Sequence, residues 1–269
     1  MSVVRDSVVA EDAFDGRTGR VQRLTEILEQ LANAGALRIT DTAPRLGVSA
    51  ATLRRDLAHL ERRHLLTRTH GGAVGRTGVY ELSLGQRAST LQAEKVRIGA
   101  VAAGLVGEHA NVGLTGGTTA SEVGRALADR SDLTVVTNAL NVAWDLIVHP
   151  GIKLVLTGGV CRAMSYELTG PLANAALDGM NLDVAFVGAD GIDVGGGITT
   201  HNELEAHTNR QMLERARLVV VVADHTKLGR LAFVRIAPIA SIHQLITDAA
   251  ADPALVASLR GAGVQVTLA

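Results

Sequence analysis

The sequence predicts an α/β protein in two parts: a small N-terminal domain of three helices and a hairpin, then a larger domain built on a doubly wound, largely parallel sheet. Three observations predict it. Apolar residues recur at helical spacing through residues 20–62, a glycine-bearing run follows them, and from about residue 92 β-branched apolar runs alternate with helical patterns. Strands that alternate with helices imply crossover connections and a parallel sheet.

Composition permits this and narrows the function. The 269 residues suffice for two domains, and 47 % apolar content supports a packed core. Aromatics are 2 %, so the core is aliphatic and base-stacking platforms are scarce. Cys161 is the single cysteine, which excludes an internal disulfide, and no Cys/His cluster has zinc-ligand spacing. No metal or cofactor is expected. The N-terminus lacks a signal-peptide apolar run and no stretch has about 18 consecutive apolar residues, so a cytoplasmic protein away from membranes is expected.

A net charge of −1 conceals an asymmetry. Residues 20–76 carry ten arginines against five acids, whereas residues 77–269 carry fourteen basic residues against eighteen acids. A basic segment on an acidic body points to a polyanion partner, with a solvated charged surface as the plain alternative.

Residues 1–19 are polar and aperiodic and read as a flexible tail. Val21, Leu24, Ile27, Leu28 and Leu31 then share one helical face, with Asn33 and Gly35 placed to end the helix. A second short helix is expected over 40–46, with Gly47 as a turn residue. Ser49 can cap a third helix that turns Leu53, Leu57 and Leu60 inward and Thr52, Arg54 and Arg55 outward. The run 65–73 suits a short hairpin. Three helices and a hairpin over 20–76 describe a winged helix-turn-helix, whose third helix enters the DNA major groove. Arg54 and Arg55 suit guanine or phosphate contacts, although solvent-facing arginines are common on amphipathic helices.

These residues carry a resemblance. Gly47-Val48-Ser49-Ala50-Ala51-Thr52-Leu53-Arg54-Arg55-Asp56-Leu57, followed by Arg68-Thr69-His70-Gly71-Gly72-Ala73, resembles the DNA-binding signature of the DeoR family of bacterial regulators, with both halves at the expected separation. The family often has glycine where His64 stands. The resemblance implies double-stranded operator DNA as a partner, read by Ser49, Thr52, Arg54, Arg55, Arg68, His70 and Gly71.

Residues 77–91 read as a linker passing into a helix, and 92–269 as the second domain. Helical patterns cover about 92–107, 119–129, 139–148, 170–179 and 203–216. Strands are expected at 112–114, 133–137, 152–157, 184–187, 218–223, 244–247 and 264–268. The run Val219-Val220-Val221-Val222 suits a strand buried on both faces. Ligands of such sheets bind beyond the strands' carboxyl ends, which is where glycine and polar residues cluster. Thr115-Gly116-Gly117-Thr118-Thr119 could turn backbone N–H groups and a helix N-terminus toward an anion. It matches neither a Walker motif nor a Gly-x-Gly-x-x-Gly fingerprint, and a threonine-capped tight turn is the alternative. Thr137-Asn138 and Thr157-Gly158-Gly159 end the next two strands. Further on stand Gly188-Ala189-Asp190, Asp193 (read as turn chemistry), Gly195-Gly196-Gly197, Glu203 and Glu205. Asp224-His225-Thr226-Lys227 follows the valine strand, and Lys227 is one of only three lysines.

From about Lys95 to Asp248 these clusters resemble the DeoR effector domain, whose fold is similar to ribose-5-phosphate isomerase. The resemblance implies that Gly116, Gly117, Thr118, Thr119 and Lys227 hold the phosphate of a sugar lined by Asn138, Asp190 and Glu205. It also implies a homodimer or homotetramer that represses sugar-metabolism genes until a phosphorylated sugar binds. The family commonly has aspartate where Thr115 stands. An aldose-phosphate isomerase is the alternative: Gly188-Ala189-Asp190, with Ile192-Asp193 and the triple glycine, resembles that enzyme. Glu203 or Glu205 could serve such an enzyme as base, but the isomerases place a lysine immediately before the glycine run, where this chain has Val194, and an enzyme leaves the DNA-binding segment unexplained. A DNA-binding structural protein with a vestigial second domain is the third reading.

Overall fold

The computed structural model describes residues 19–20, 23–24, 26–28, 30–31, 36–62, 66–74, 84–88 and 90–269. Within the tail expected over 1–19 only Gly19 is described, and it is helical. Val21, Asn33, Gly35, His64 and Leu65 lie outside the described residues. The chain divides into two compact units, Met1–Thr90 and Leu91–Ala269.

In the first unit the described residues of 19–31 are helical, and Ile27, Leu28 and Leu31 are buried. They pack with α1 (Ile39–Arg45), α2 (Ala50–Arg62) and a small sheet of β1 (Ala36–Arg38), β2 (Thr67–Thr69) and β3 (Gly72–Val74). The expected inward row of α2, Leu53, Leu57 and Leu60, is buried in this core. Asp56 on the same helix is also buried, and it binds Arg23 at 2.7 Å and Arg20 at 3.5 Å, fastening the first helical segment to α2. The hairpin β2–β3 forms as expected. β1 was not legible beforehand, because three residues show no periodicity. It pairs antiparallel with β3, and the approach is close: a Cβ on Gly72 would lie 1.9 Å from the Leu37 carbonyl oxygen. Only glycine fits there. A short helix, α3 (Leu84–Arg87), falls within the segment expected to pass from linker to helix.

The second unit begins with α4 (Gln92–Ala103) and is organised by seven parallel strands. They are β4 (Asn111–Leu114), β5 (Leu133–Thr137), β6 (Ile152–Leu156), β9 (Leu182–Val187), β12 (Ala216–Val222), β14 (Gln244–Thr247) and β15 (Gln265–Leu268), in the order β15-β14-β12-β9-β4-β5-β6. All seven coincide with the runs that predicted them. Each central strand serves two cores. Ala185, Val187, Val219 and Val221 face one; Val184, Phe186, Val220 and Val222 face the other. The first core takes α7 (Pro171–Leu177), α8 (Glu203–Glu214) and α9 (Pro253–Gly261); the second takes α4, α5 (Thr118–Leu127) and α6 (Leu140–Leu146). Burial on both faces is why the valine run shows no alternation.

Three features add to the expected plan, α9, an antiparallel hairpin of β7 (Val160–Arg162) and β8 (Glu167–Thr169), and an antiparallel sheet of β10 (Gly191–Asp193), β11 (Gly197–Thr200) and β13 (Val234–Ala237), and the helices are shorter than expected. The chain leaves β4 outward through β5 and β6, then returns to β9 on the other side of β4. The carboxyl ends of β4 and β9 therefore flank a topological switch point.

Phe186 is fully buried in β9 at the centre of the sheet. Phe186→Ala is expected to destabilise the chain by about 3–5 kcal/mol, read from urea unfolding; a loss below about 1 kcal/mol would contradict the two-faced core.

Candidate functional site

Two strand-end loops meet at the switch point. Thr115 is fully buried; its Oγ1 accepts a hydrogen bond from the Gly188 N–H at 3.1 Å, and its own N–H donates to Phe186 O at 3.2 Å. The residue that stands where the family commonly has aspartate thus ties the β4 loop to the β9 loop. The loops are pressed together so tightly that a Cβ on Gly188 would lie 2.9 Å from Gly116 O. Gly117, at φ 109°, precedes α5 and has no side chain to cap it. The first N–H groups of a helix lack intrahelical partners and carry partial positive charge. This start is therefore suited to an anion, with the half-buried Thr118 and the buried Thr119 on its first turn.

The β7–β8 hairpin supplies residues that the sequence reading missed. Leu168 N donates to Asn138 O at 2.6 Å and Leu140 N to Tyr166 O at 3.0 Å, so the hairpin is fastened to the loop after β5. That places Glu167 directly against Gly116: a Cβ there would lie 2.4 Å from Glu167 Cγ and Oε1. Asn138 Nδ2 donates to Glu167 Oε2 and to Asn209 Oδ1, each at 3.2 Å. Asn138 is fully buried, and its Oδ1 has no hydrogen-bond partner.

Glu205, buried in the first turn of α8, accepts from Arg162 Nη1 at 2.9 Å and from Ser165 Oγ. Thr200 Oγ1 lies 3.0 Å from Asp190 Oδ2 and 3.3 Å from Glu205 Oε2, and its one proton can serve only one of them. Glu167 N donates to Ser165 Oγ at 3.4 Å, so Gly116, Asn138, Asp190 and Glu205 are linked through Glu167, Ser165 and Thr200 into one polar cluster. Arg162, Ser165, Glu167, Thr200 and Asn209 are its unforeseen members.

Lys227 closes a 3-10 turn after β12, one strand beyond β9. The turn is held by Asp224, which accepts from Thr226 N at 3.1 Å, and by Asp248, which accepts from His225 N at 2.7 Å. Burial works against the charged Asp248, but the His225 and Ala250 N–H groups and the His225 ring outweigh it and hold the carboxyl below its usual range. Among the described residues no hydrogen bond or ion pair engages the Lys227 ammonium. Asp193 does what turn chemistry requires, accepting from Gly195 N and Gly196 N at 2.8 and 2.9 Å. Glu203 is exposed on α8 and outside the cluster.

Glu167 is the electrostatic anomaly of the cluster. Burial, then the charges of Glu205 and Asp190, raise its pKa against the bonds from Asn209 and Asn138, which lower it; the result is pushed up to about 8. The folded chain keeps a proton that the unfolded chain releases above an ordinary value near 4.5. The resulting stabilisation is complete below that value and is lost as pH rises toward about 8. Between pH 5 and 8 the wild-type chain should therefore lose stability relative to Glu167→Gln, measured by denaturant unfolding. A difference that does not change with pH would show that Glu167 is ionised in the fold.

In the first unit, α2 exposes Arg54 and Arg55 and half-exposes Thr52. Ser49 Oγ accepts from Thr52 N at 3.1 Å, the cap expected of it. Arg68 is engaged: its Nε donates to Glu61 Oε2 at 2.6 Å and its N–H to Glu61 Oε1 at 3.0 Å. These bonds, the backbone one first, lower the Glu61 pKa and tie the wing to the end of α2. His70 and Gly71 are exposed at the hairpin tip.

Among the described residues no helix is long and apolar enough to cross a membrane. Comparison with known proteins agrees with both units. Residues 23–77 match the DeoR-like helix-turn-helix domain, and residues 90–249 match the DeoR C terminal sensor domain. The chain is 36 % identical to the HTH-type transcriptional regulator GlpR of Haloferax volcanii over 91 % of this chain and 96 % of that one. It is 30 % identical to the glycerol-3-phosphate regulon repressor of Escherichia coli over 93 % of this chain and 99 % of that one. Among solved structures, ribose 5-phosphate isomerase A of Methanocaldococcus jannaschii aligns with a TM-score of 0.40 and 19 % identity, over 51 % of this chain and about half (55 %) of the isomerase. With both family models and full-length relatives matched, the chain belongs to the DeoR family of DNA-binding transcriptional regulators.

Proposed function

We propose that this chain is a cytoplasmic repressor of sugar-metabolism genes whose hold on operator DNA is released by a phosphorylated sugar. The observation that carries the effector half of this reading is the buried, unpartnered Oδ1 of Asn138, close to the uncapped Gly116-Gly117-Thr118 turn. A buried acceptor without a donor is costly and is normally satisfied by an ordered water or a bound group. A sugar hydroxyl is such a donor, and the turn and Lys227 suit the phosphate.

The proposed division of labour is by segment. Residues 20–76 bind DNA, with Arg54 and Arg55 on bases or phosphates and the wing tip at His70 and Gly71 near the backbone; residues 77–91 link, and residues 92–269 read the effector. A homodimer or homotetramer makes the second half-site contact intramolecular. The chain's one tryptophan, Trp144, is 80 % exposed beside the exposed Ile147 and Val148, which supports self-association. The effector shifts the equilibrium only if it prefers the conformation that binds DNA weakly.

The isomerase reading fares worse. It needs a lysine where this chain has Val194, and Glu205 is occupied by Arg162 and Ser165.

The test is DNA binding by fluorescence anisotropy on the chain's own promoter region, with and without a panel of sugar phosphates. Arg54→Ala or Arg55→Ala should each weaken DNA binding by about 1–3 kcal/mol, leaving effector binding intact. Lys227→Ala should still bind DNA but fail to release it. A Lys227→Ala protein that releases DNA like the parent would sink the phosphate assignment.

A further inference from the structure

Three carboxyl groups, Glu167, Asp190 and Glu205, stand together beyond the strand ends. Arg162 of β7 pairs with Glu205 of α8. Asp190, after β9, shares Thr200 with Glu205. Glu167 of β8 stands opposite Arg162 across the hairpin, but that guanidinium binds Glu205, and the side-chain partners of Glu167 are the uncharged amides of Asn138, in the loop after β5, and Asn209 on α8. The charges that act on it are those of Glu205 and Asp190, both negative. It is also buried, and it lies in van der Waals contact with Gly116 at the mouth of the anion-suited turn.

An anion held by the backbone of that turn is a close neighbour of Glu167 Oε1. If both were charged, they would repel in a site with little water to screen them. We propose that Glu167 is a proton gate on the effector site: a doubly charged anion occupies the Gly116–Gly117 turn only while the Glu167 carboxyl is neutral, and its binding draws a proton onto that carboxyl when the surroundings have removed it. The neutral carboxyl also offers an O–H donor that a carboxylate lacks, which favours an effector with an acceptor oxygen next to its phosphate. The rise of the Glu167 pKa to about 8 fits this geometry, since it leaves the gate open at neutral pH and closes it in mild alkali. The proposal rests on the reading of the turn as an anion cradle.

Sulfate is the probe, because it stays a dianion at all relevant pH values and brings no proton of its own. It is titrated into the full chain at constant ionic strength, at pH 7 and pH 9, and followed by the amide resonances of Gly116, Gly117 and Thr118. With one proton linked to binding and a gate near 8, affinity should fall about tenfold between the two pH values. Glu167→Gln, neutral at both, should bind sulfate equally at both. Wild-type affinity that is the same at pH 7 and 9 overturns the gate and leaves the cradle standing. An equal loss in the wild type and in Glu167→Gln assigns the proton to another group and also overturns it. If neither protein binds sulfate at either pH, the cradle falls and the gate with it. The wild-type profile decides the matter even if the variant folds poorly.

Discussion

The pairing of β4 with β9, Val112–Leu114 against Val184–Phe186, is the constraint on which the effector unit depends. It is where the chain reverses its direction of travel across the sheet, the place at which ligands of such sheets bind, and here the loops that leave the two strands are in close contact. Thr115 ties these loops together by accepting from the Gly188 N–H, and Phe186 anchors the seam from below in the fully buried core. Glycine at 116 and 188 follows from this closeness, because a side chain at either position would collide with Glu167 or with the opposite backbone. The polar cluster does not create the site. It is seated on a seam whose position is dictated by aliphatic packing on both faces of the sheet.

A cluster of this kind is expensive. Buried carboxyl groups lose hydration that protein partners replace only in part. A chain selected for stability alone would fill the space between β4, β8 and α8 with aliphatic side chains, as it does along β9 and most of β12. Burying Glu167, Glu205, Asn138 and Asn209 there, with Asn138 Oδ1 unpartnered, costs stability, which fits the effector site proposed above. The first unit shows the contrasting case. Its buried Asp56 is paired with Arg20 and Arg23 and serves to join helices, while the arginines at 54 and 55 are left on the surface.

What was legible in the sequence follows from burial. The central strands, buried on both faces, appear as unbroken apolar runs, and the half-exposed edge strands β6 and β15 still carry enough β-branched residues to be read; the polar residues at the strand ends marked the candidate site. The β7–β8 hairpin could not be read in this way. Its strands have three residues each, and Arg162, Ser165 and Glu167 fall in a stretch with no apolar period. The usable signal was the bracketing of that stretch by Gly158-Gly159 and Gly170-Pro171, which marks a short self-contained turn-back, together with a glutamate between Tyr166 and Leu168. The helix α9 also had a signal: Asp252 caps it and Pro253 opens it, a pairing typical of helix starts. β1 had none, since its strand character exists only through pairing with β3. Among the anticipated site residues, Arg68 turned out to have an internal task, binding Glu61, that its residue type could not disclose.

The central claim is that the strand-end site recognises a phosphorylated sugar. The most direct measurement is the thermal stability of the purified chain against a panel of phosphorylated sugars and their unphosphorylated parents. A ligand held at one hundred times its Kd stabilises the folded state by about 2.7 kcal/mol. The account predicts a rise in Tm with one phosphorylated compound and not with its parent. No rise with any compound at millimolar concentration, or an equal rise with phosphorylated compound and parent, would contradict it.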